Sequence, residues 1–415
     1  MYIILAVLSG ILLVYLIQYK LYAKKSFDGI TYNVTLNTAE VFEGEDVLFY
    51  EEISNTKWLP LPFLKVETYL PGGLRFRLIQ SDSDGKRRSF FTSSIQSVFV
   101  LKPYETIRRT WRVNCDVRGT YTLGEVMAVT NDLIGFNQQS RQITVPPNAK
   151  NQLVVLPRTL ALEKEFTSSK YLSGDILVRR SIVSDPLRIA GVREYVNGDP
   201  MNRINWKSTA AHNALMVNVE EYTQRHSFRI ILNMNSRDIE RVPGPPAIPS
   251  LVEDCITIVA SILDTVATEH IGVRIVTNVM PDEADPLMSA ALDDTDEIGK
   301  SIFISPSFFG TTDMIAALRF LARLPMRIDL SVEKMLDHIV AHPEVYVSDG
   351  NLVFVSAYIS ERMIYFAKEM EKRGVSVIFY ITGSVSNAAI IPDNVKVFFK
   401  IKPEAAPEKE KEAVS

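Results

Sequence analysis

The chain opens on an unbroken apolar run. Tyr2 to Ile17 (YIILAVLSGILLVYLI) carries no charge. As a helix this segment rises roughly 24 Å at 1.5 Å per residue, a little short of the roughly 30 Å hydrocarbon core of a bilayer. Leu21 extends it, with Lys20 snorkelling to the interface. Tyr2, Tyr15, Tyr19 and Tyr22 suit an interfacial belt. A cleaved signal peptide would carry a basic start and a small-residue cleavage site, and neither is evident. Residues 1–25 therefore read as a transmembrane anchor with a basic flank. Lys20, Lys24 and Lys25 follow the run, and only the α-amino group is basic before it. The positive-inside rule then predicts a single-pass protein of the cell membrane with its globular part in the cytoplasm.

From about Ile30 the period changes to two. The segment ITYNVTLNTAEVFEGEDVLFYEEISN alternates apolar and polar residues on either side of the turn FEGED. LPFLKVETYLPGG, SIQSVFVLKP, TIRRTWRVNC and GTYTLGEVMAVTND continue the pattern, with no long helical segment between them. Residues 30–150 are predicted to form an immunoglobulin-like β-sandwich, with Ser81–Ser89 as an exposed hairpin loop.

Past residue 150 the pattern changes again. QLVVLPR reads as an apolar strand ended by proline, and Glu163–Asp185 as an irregular surface excursion. FRIILNMN, GVRIVTN, NLVFVSAY and VSVIFYIT are short continuous apolar runs, alternating with amphipathic helical segments such as LVEDCITIVASILDTVATEH and SERMIYFAKEMEKRG. Such runs are buried parallel strands with helices on both faces. Residues 151–402 are predicted to form a doubly wound α/β domain, with Gly374 as a helix C′ residue. Pro281–Glu297 reads as an acidic loop. The tail 403–415 has the composition of disorder.

Composition narrows the function classes. The net charge of −4 is spread along the chain, which argues against nucleic acid as a partner, since phosphate binding needs a basic face. Two distant cysteines, Cys115 and Cys255, are too few for a disulfide framework and suit a reducing compartment as buried small hydrophobes. No phosphate-binding glycine loop and no Ser-His or Cys-His arrangement is visible. His338 and His342 have i, i+4 spacing, but Ile339 stands where a zinc peptidase carries Glu. The pair reads as a helix end before Pro343. No cofactor or metal is expected.

One stretch concentrates unusual residues: AGVREYVNGDPMNRINWKSTAAHNALMVNVEEY, 190–222. Local rules make GVREYV a strand, with Asp199 as helix N-cap, Pro200 at the first helical position and ALMVNVEEY a returning strand. Arg193, Glu194, Arg203, Asn205, Trp206, Lys207 and Ser208 exceed what a connection needs. They read as a structural hydrogen-bonded network or as a surface that docks a partner. Catalysis by Asp199 or Glu194 with Arg203 is a third reading.

This stretch resembles the signature of the bacterial family called domain of unknown function 58, whose pattern runs roughly R-E-Y, G-D, R-x-I-x-W-K, S-A and L-M-V. The chain matches at Arg193, Glu194, Tyr195, Gly198, Asp199, Arg203, Ile204, Trp206, Lys207, Leu215, Met216 and Val217, with Thr209-Ala210 near the Ser-Ala pair. RGTYTLG, TNDLIGF and VVLPR resemble the upstream motifs, so the likeness extends over about residues 30–385. The resemblance implies a β-sandwich followed by a von Willebrand factor A-like domain, tethered to the membrane and associated with MoxR-type AAA+ ATPases. It implies no reaction. Family members often carry two adjacent spans, where this chain has one.

Von Willebrand A domains often bind Mg²⁺ through D-x-S-x-S after their first strand. Here Asn233, Asn235 and Arg237 occupy those positions. A neutral amide binds Mg²⁺ more weakly than a carboxylate, and Arg237 would repel it. The sequence thus predicts a non-catalytic scaffold or adaptor that acts by protein contacts. A metal-dependent binding or adhesion module and an uncharacterised enzyme are the alternatives.

Overall fold

A computed structural model of the chain describes residues 2–81, 87–132, 135, 138–162, 182–196, 199–212, 214–224, 227–267, 271–281, 297–347, 351–383 and 396–399. The centre of the predicted hairpin loop, most of the two predicted excursions and the C-terminal tail lie outside these residues. The chain divides into two compact units that part between Arg158 and Thr159.

The first unit begins with a single helix, α1 (Tyr2–Lys25). It is longer than the apolar run and carries Lys20, Lys24 and Lys25 within its last turns. It is long and apolar enough to cross a membrane, and among its residues Tyr22 alone is buried.

The strands that follow are β1 (Ile30–Leu36), β2 (Glu40–Phe42), β3 (Asp46–Asn55), β4 (Leu61–Tyr69), β5 (Leu74–Ser81), β6 (Arg87–Thr92), β7 (Ser94–Leu101), β8 (Thr106–Cys115), β9 (Gly119–Thr122), β10 (Glu125–Asn131), β11 (Gln138–Thr144) and β12 (Gln152–Leu156). They form one sheet in the order β1-β3-β8-β5-β6, a second in the order β11-β10-β4-β7, and a small third sheet, β2-β12-β9. The period-two pattern explains the layering. In β7, Ile95, Ser97, Phe99 and Leu101 are buried while Gln96, Val98 and Val100 face outwards. Phe49, Phe76, Leu61 and Val113 fill the core. One carboxylate lies among them. Glu51 is buried and accepts hydrogen bonds from Tyr32 Oη (3.2 Å), Thr68 Oγ1 (2.9 Å) and Trp111 Nε1 (3.2 Å). Burial beside that carboxylate pushes the Tyr32 phenol well up.

One boundary differs from the prediction. The strand Gln152–Leu156 was placed at the start of the α/β domain. It pairs in parallel with β2 and antiparallel with β9, and buries Leu153 and Val155 in the sandwich core. A continuous apolar strand in the middle of a small sheet gives the same sequence signal as a parallel strand beneath helices. The strand β6 also begins at Arg87, inside the stretch predicted as loop.

In the second unit, β13 (Ile182–Glu194) and β14 (Met216–Gln224) form an antiparallel ribbon. It includes Ile182–Asp185, which was predicted as irregular. A helix, α2 (Trp206–His212), lies between them. The remaining strands are β15 (Ser227–Leu232), β16 (Gly272–Thr277), β17 (Phe303–Ile304), β18 (Asn351–Ser356), β19 (Ser376–Ile381) and β20 (Lys396–Phe399). They make one sheet in the order β17-β16-β15-β18-β19-β20, parallel except for β17. Counted from β15 the order is 3-2-1-4-5-6, that of a doubly wound sheet. The helices α3 (Pro249–Ala267), α4 (Gly310–Arg323), α5 (Val332–Ala341), α6 (Pro343–Tyr346) and α7 (Glu361–Lys372) connect them. Gly374 ends α7 with φ +78°, and Val375 N–H donates back to the Met370 carbonyl at 3.0 Å. Cys115 and Cys255 are both buried.

Candidate functional site

The 190–222 stretch is a two-stranded ribbon with a folded tip. Its strand ends are in register, with Arg193 opposite Val217 and Glu194 opposite Met216. The tip is tied to them by backbone bonds: Tyr195 N–H to the Leu215 carbonyl and Asn205 N–H to the Met216 carbonyl, both 2.8 Å. Met216 N–H donates to Thr209 Oγ1 at 3.0 Å, and Asn205 Nδ2 donates to Asn218 Oδ1 at 2.7 Å. Ile204, Met216 and Val217 are buried beneath.

The capping differs from the prediction. Asp199 does not cap a helix. Its carboxylate accepts two bonds from the Arg193 guanidinium, both 2.7 Å, and one from Val196 N–H at 2.9 Å. A single 3₁₀ turn, Met201–Arg203, follows Pro200. Asn205 caps α2 instead: its Oδ1 accepts Ser208 N–H at 3.0 Å. The Arg193 hydrogen bonds, joined by that of Val196, hold the Asp199 carboxyl down at about 2.

The predicted residues thus fall into two groups. Arg193, Asp199 and Asn205 form the bracing, with Arg203 half-buried nearby and adding to the positive field on Asp199. Tyr195 contributes its backbone. Glu194 and Lys207 are exposed, and Gly198 lies outside the described residues. Trp206 is 70% exposed, with Met201 at 72% and Val196 at 62%. Sequence reasoning missed the last two. An apolar residue in a polar stretch was the available signal. Of the two carboxylates in the catalytic reading, Asp199 is paired with Arg193, and a carboxyl held near 2 is a weak base at neutral pH, whereas Glu194 is exposed.

The second candidate place is the switch point of the large sheet, where β15 and β18 end side by side. Asn233 follows β15. Its N–H donates to the Val355 carbonyl and its Nδ2 to Ser356 Oγ, both 3.0 Å. Its Oδ1 accepts Asn235 N–H at 3.0 Å. Asn278, just past β16, accepts Met234 N–H at 2.9 Å and donates to Asn235 Oδ1 (2.8 Å) and the Leu330 carbonyl (2.7 Å). All four side chains are buried. Asn278 was not anticipated, because a lone Asn after a strand carries no motif. Arg237 lies exposed beyond the buried run.

A Mg²⁺ ion of the von Willebrand A kind does not fit these residues. The side-chain oxygens of Asn233 and Asn235 are engaged by N–H donors, Asn233 Nδ2 is directed to Ser356 Oγ, and the third position is the cation Arg237. The neighbouring carboxylate, Glu240, is taken by Ser236 N–H (3.0 Å), Ser236 Oγ (2.5 Å) and Ala247 N–H (2.7 Å). Two hydroxyls at this end, Thr277 and Ser360, are buried with no partner among the described residues. Burial also pushes the Tyr358 phenol up, against the Asn233 amide beside it. The His338 and His342 rings lie 4.7 Å apart at the end of α5, with His338 packed edgewise on Tyr346.

No family model matches the chain. No curated protein matches it either. Among solved structures, a CARDB domain from Pyrococcus furiosus, described in complex with di-metal ions, is similar at 14% identity and a TM-score of 0.18, over 30% of this chain and 91% of that one. A portion of alpha-2-macroglobulin from Escherichia coli is similar at 12% identity and a TM-score of 0.22, over 31% of this chain and 23% of that one. The sporulation control protein of Bacillus subtilis is similar at 14% identity and a TM-score of 0.17, over 29% and 51%.

Proposed function

We propose that this protein is a membrane-anchored, non-catalytic scaffold whose 190–222 stretch docks an AAA+ ATPase of the MoxR type. One observation carries the reading. Arg193 is paired with Asp199 and Asn205 with Asn218, while the Trp206 indole stands exposed on the braced ribbon. Tryptophan and methionine are enriched at the centres of protein interfaces, and a rigid support lowers the ordering cost of binding.

The other parts suit the same role. The helix α1 tethers the chain, and Lys20, Lys24 and Lys25 at its end favour a cytoplasmic body under the positive-inside rule. The doubly wound strand order of the large sheet supports the von Willebrand A-like reading. The amide network at its switch point favours contact-based over metal-dependent binding. A non-catalytic role is supported by the pairing of Asp199 and by the buried Cys115 thiol, which burial pushes up to about 12. The ordered motifs of the stretch support membership of the domain of unknown function 58 family.

The test is a photoreactive side chain placed at position 206 and activated in intact membranes with a non-hydrolysable ATP analogue. The scaffold reading expects a cross-link to an AAA+ ATPase. Cross-links confined to the protein's own chain would favour an internal structural role instead.

A further inference from the structure

The junction between α1 and the sandwich is built, with no free linker. Tyr22 Oη donates to the Pro60 carbonyl at 2.9 Å. Lys57 Nζ donates to the carbonyls of Ser26 (2.6 Å) and Asp28 (2.7 Å). Gln139 accepts from Ser26 Oγ at 2.5 Å and donates to the Ala23 carbonyl at 2.7 Å. The helix end is thus held on two sides of the sandwich.

Length sets the level of this clamp. The 24 residues of α1 rise about 36 Å, against about 30 Å of hydrocarbon. With α1 spanning the bilayer, the excess would bring the last turn, and the Pro60 loop bonded to Tyr22, to headgroup height. A second loop is tied to the first. Asn55 Nδ2 donates to the carbonyls of both Leu59 and Lys102 at 3.0 Å. Each loop exposes an aromatic side chain, Trp58 at 55% and Tyr104 at 71%, with Val100 exposed beside them on the edge strand. Tyr104 is held at φ +59°, a conformation rarely adopted by an aromatic residue and one that is maintained where it has a use. Lys102 is exposed in the same turn, whereas Glu105 is engaged by Lys102 N–H at 2.7 Å.

We propose that Trp58 and Tyr104 insert into the lipid headgroup region next to α1, so that the sandwich stands on the bilayer on two aromatic feet. This rests on α1 spanning the membrane. Indole and phenol rings favour that depth because one end is apolar and the other hydrogen-bonds. Lys102 favours an anionic surface. The occupant follows from continuity: the loops are fastened to the helix that enters the bilayer.

The test uses the full chain reconstituted in phosphatidylcholine vesicles with a minority of phosphatidylglycerol, brominated near the carboxyl end of the acyl chains. Trp58, Trp111 and Trp206 are the tryptophans. The bromines are expected to quench a component of the emission. That component is lost in Trp58→Phe and regained in Trp58→Phe with Tyr104→Trp. A protein that floats with the vesicles but shows the same quenching in Trp58→Phe overturns the aromatic feet alone. A protein that does not float overturns the anchor as well.

Discussion

Both terminal guanidinium nitrogens of Arg193 meet the two carboxylate oxygens of Asp199 at 2.7 Å, six residues along the chain. The pair turns the ribbon tip back on its own strand. Arg193 is about half exposed, and Asp199 much less so. Its value lies in geometry, since exposed ion pairs contribute little stability.

That geometry has a pH signature. The folded carboxyl sits near 2, below its ordinary value of about 3.9. A depressed carboxyl contributes stability above the unfolded value and loses it as pH falls through the folded one. Carboxyl-carbon NMR should find Asp199 titrating near 2 in the wild type and moving up towards about 3.9 in Arg193→Gln. An unmoved Asp199 would mean that Arg193 is not its partner.

Asn205 caps α2 and reaches Asn218. Asn205→Ala should destabilise by about 1–2 kcal/mol, and Asn205→Ser should recover part of that by keeping a capping oxygen. Denaturant unfolding checks both. Trp206→Ala, by contrast, should change stability by less than about 0.5 kcal/mol, the range of an exposed substitution.

At the switch point the prediction concerns charge. Asn233→Asp removes the donor to Ser356 and places a carboxylate at a fully buried position. A loss of more than about 1 kcal/mol is expected from desolvating the charge, read as a lower melting temperature. Adding Mg²⁺ to the wild type should leave its melting temperature unchanged.

Thr277 tests the same site from the opposite direction. Its hydroxyl is buried without a partner among the described residues. Thr277→Val removes that hydroxyl at nearly constant shape and should be neutral or stabilising. A clear loss of stability would mean that the hydroxyl has a partner in the working protein.

What could be read from the sequence depended on how local each signal was. The alternation in β3 and β7 gave the sandwich strands directly, and the apolar runs of β15, β16, β18 and β19 gave the parallel sheet. Gln152–Leu156 went to the wrong unit because an apolar strand does not encode which sheet receives it. Asp199 was misread because both it and Asn205 satisfy a local capping rule, and Arg193 claimed the aspartate through a longer-range contact. The exposure of Trp206 was not legible, since the burial of an indole is decided by its neighbours in space. The Asn278 network joins three strand ends that are far apart in sequence.

The most direct measurement of the docking claim is affinity purification from gently solubilised membranes, with and without a non-hydrolysable ATP analogue, comparing wild type and Trp206→Ala. The account predicts an AAA+ ATPase with the wild type in the presence of the analogue, and its loss in a Trp206→Ala protein that melts normally. Equal recovery by both proteins, or no ATPase with either, would contradict it.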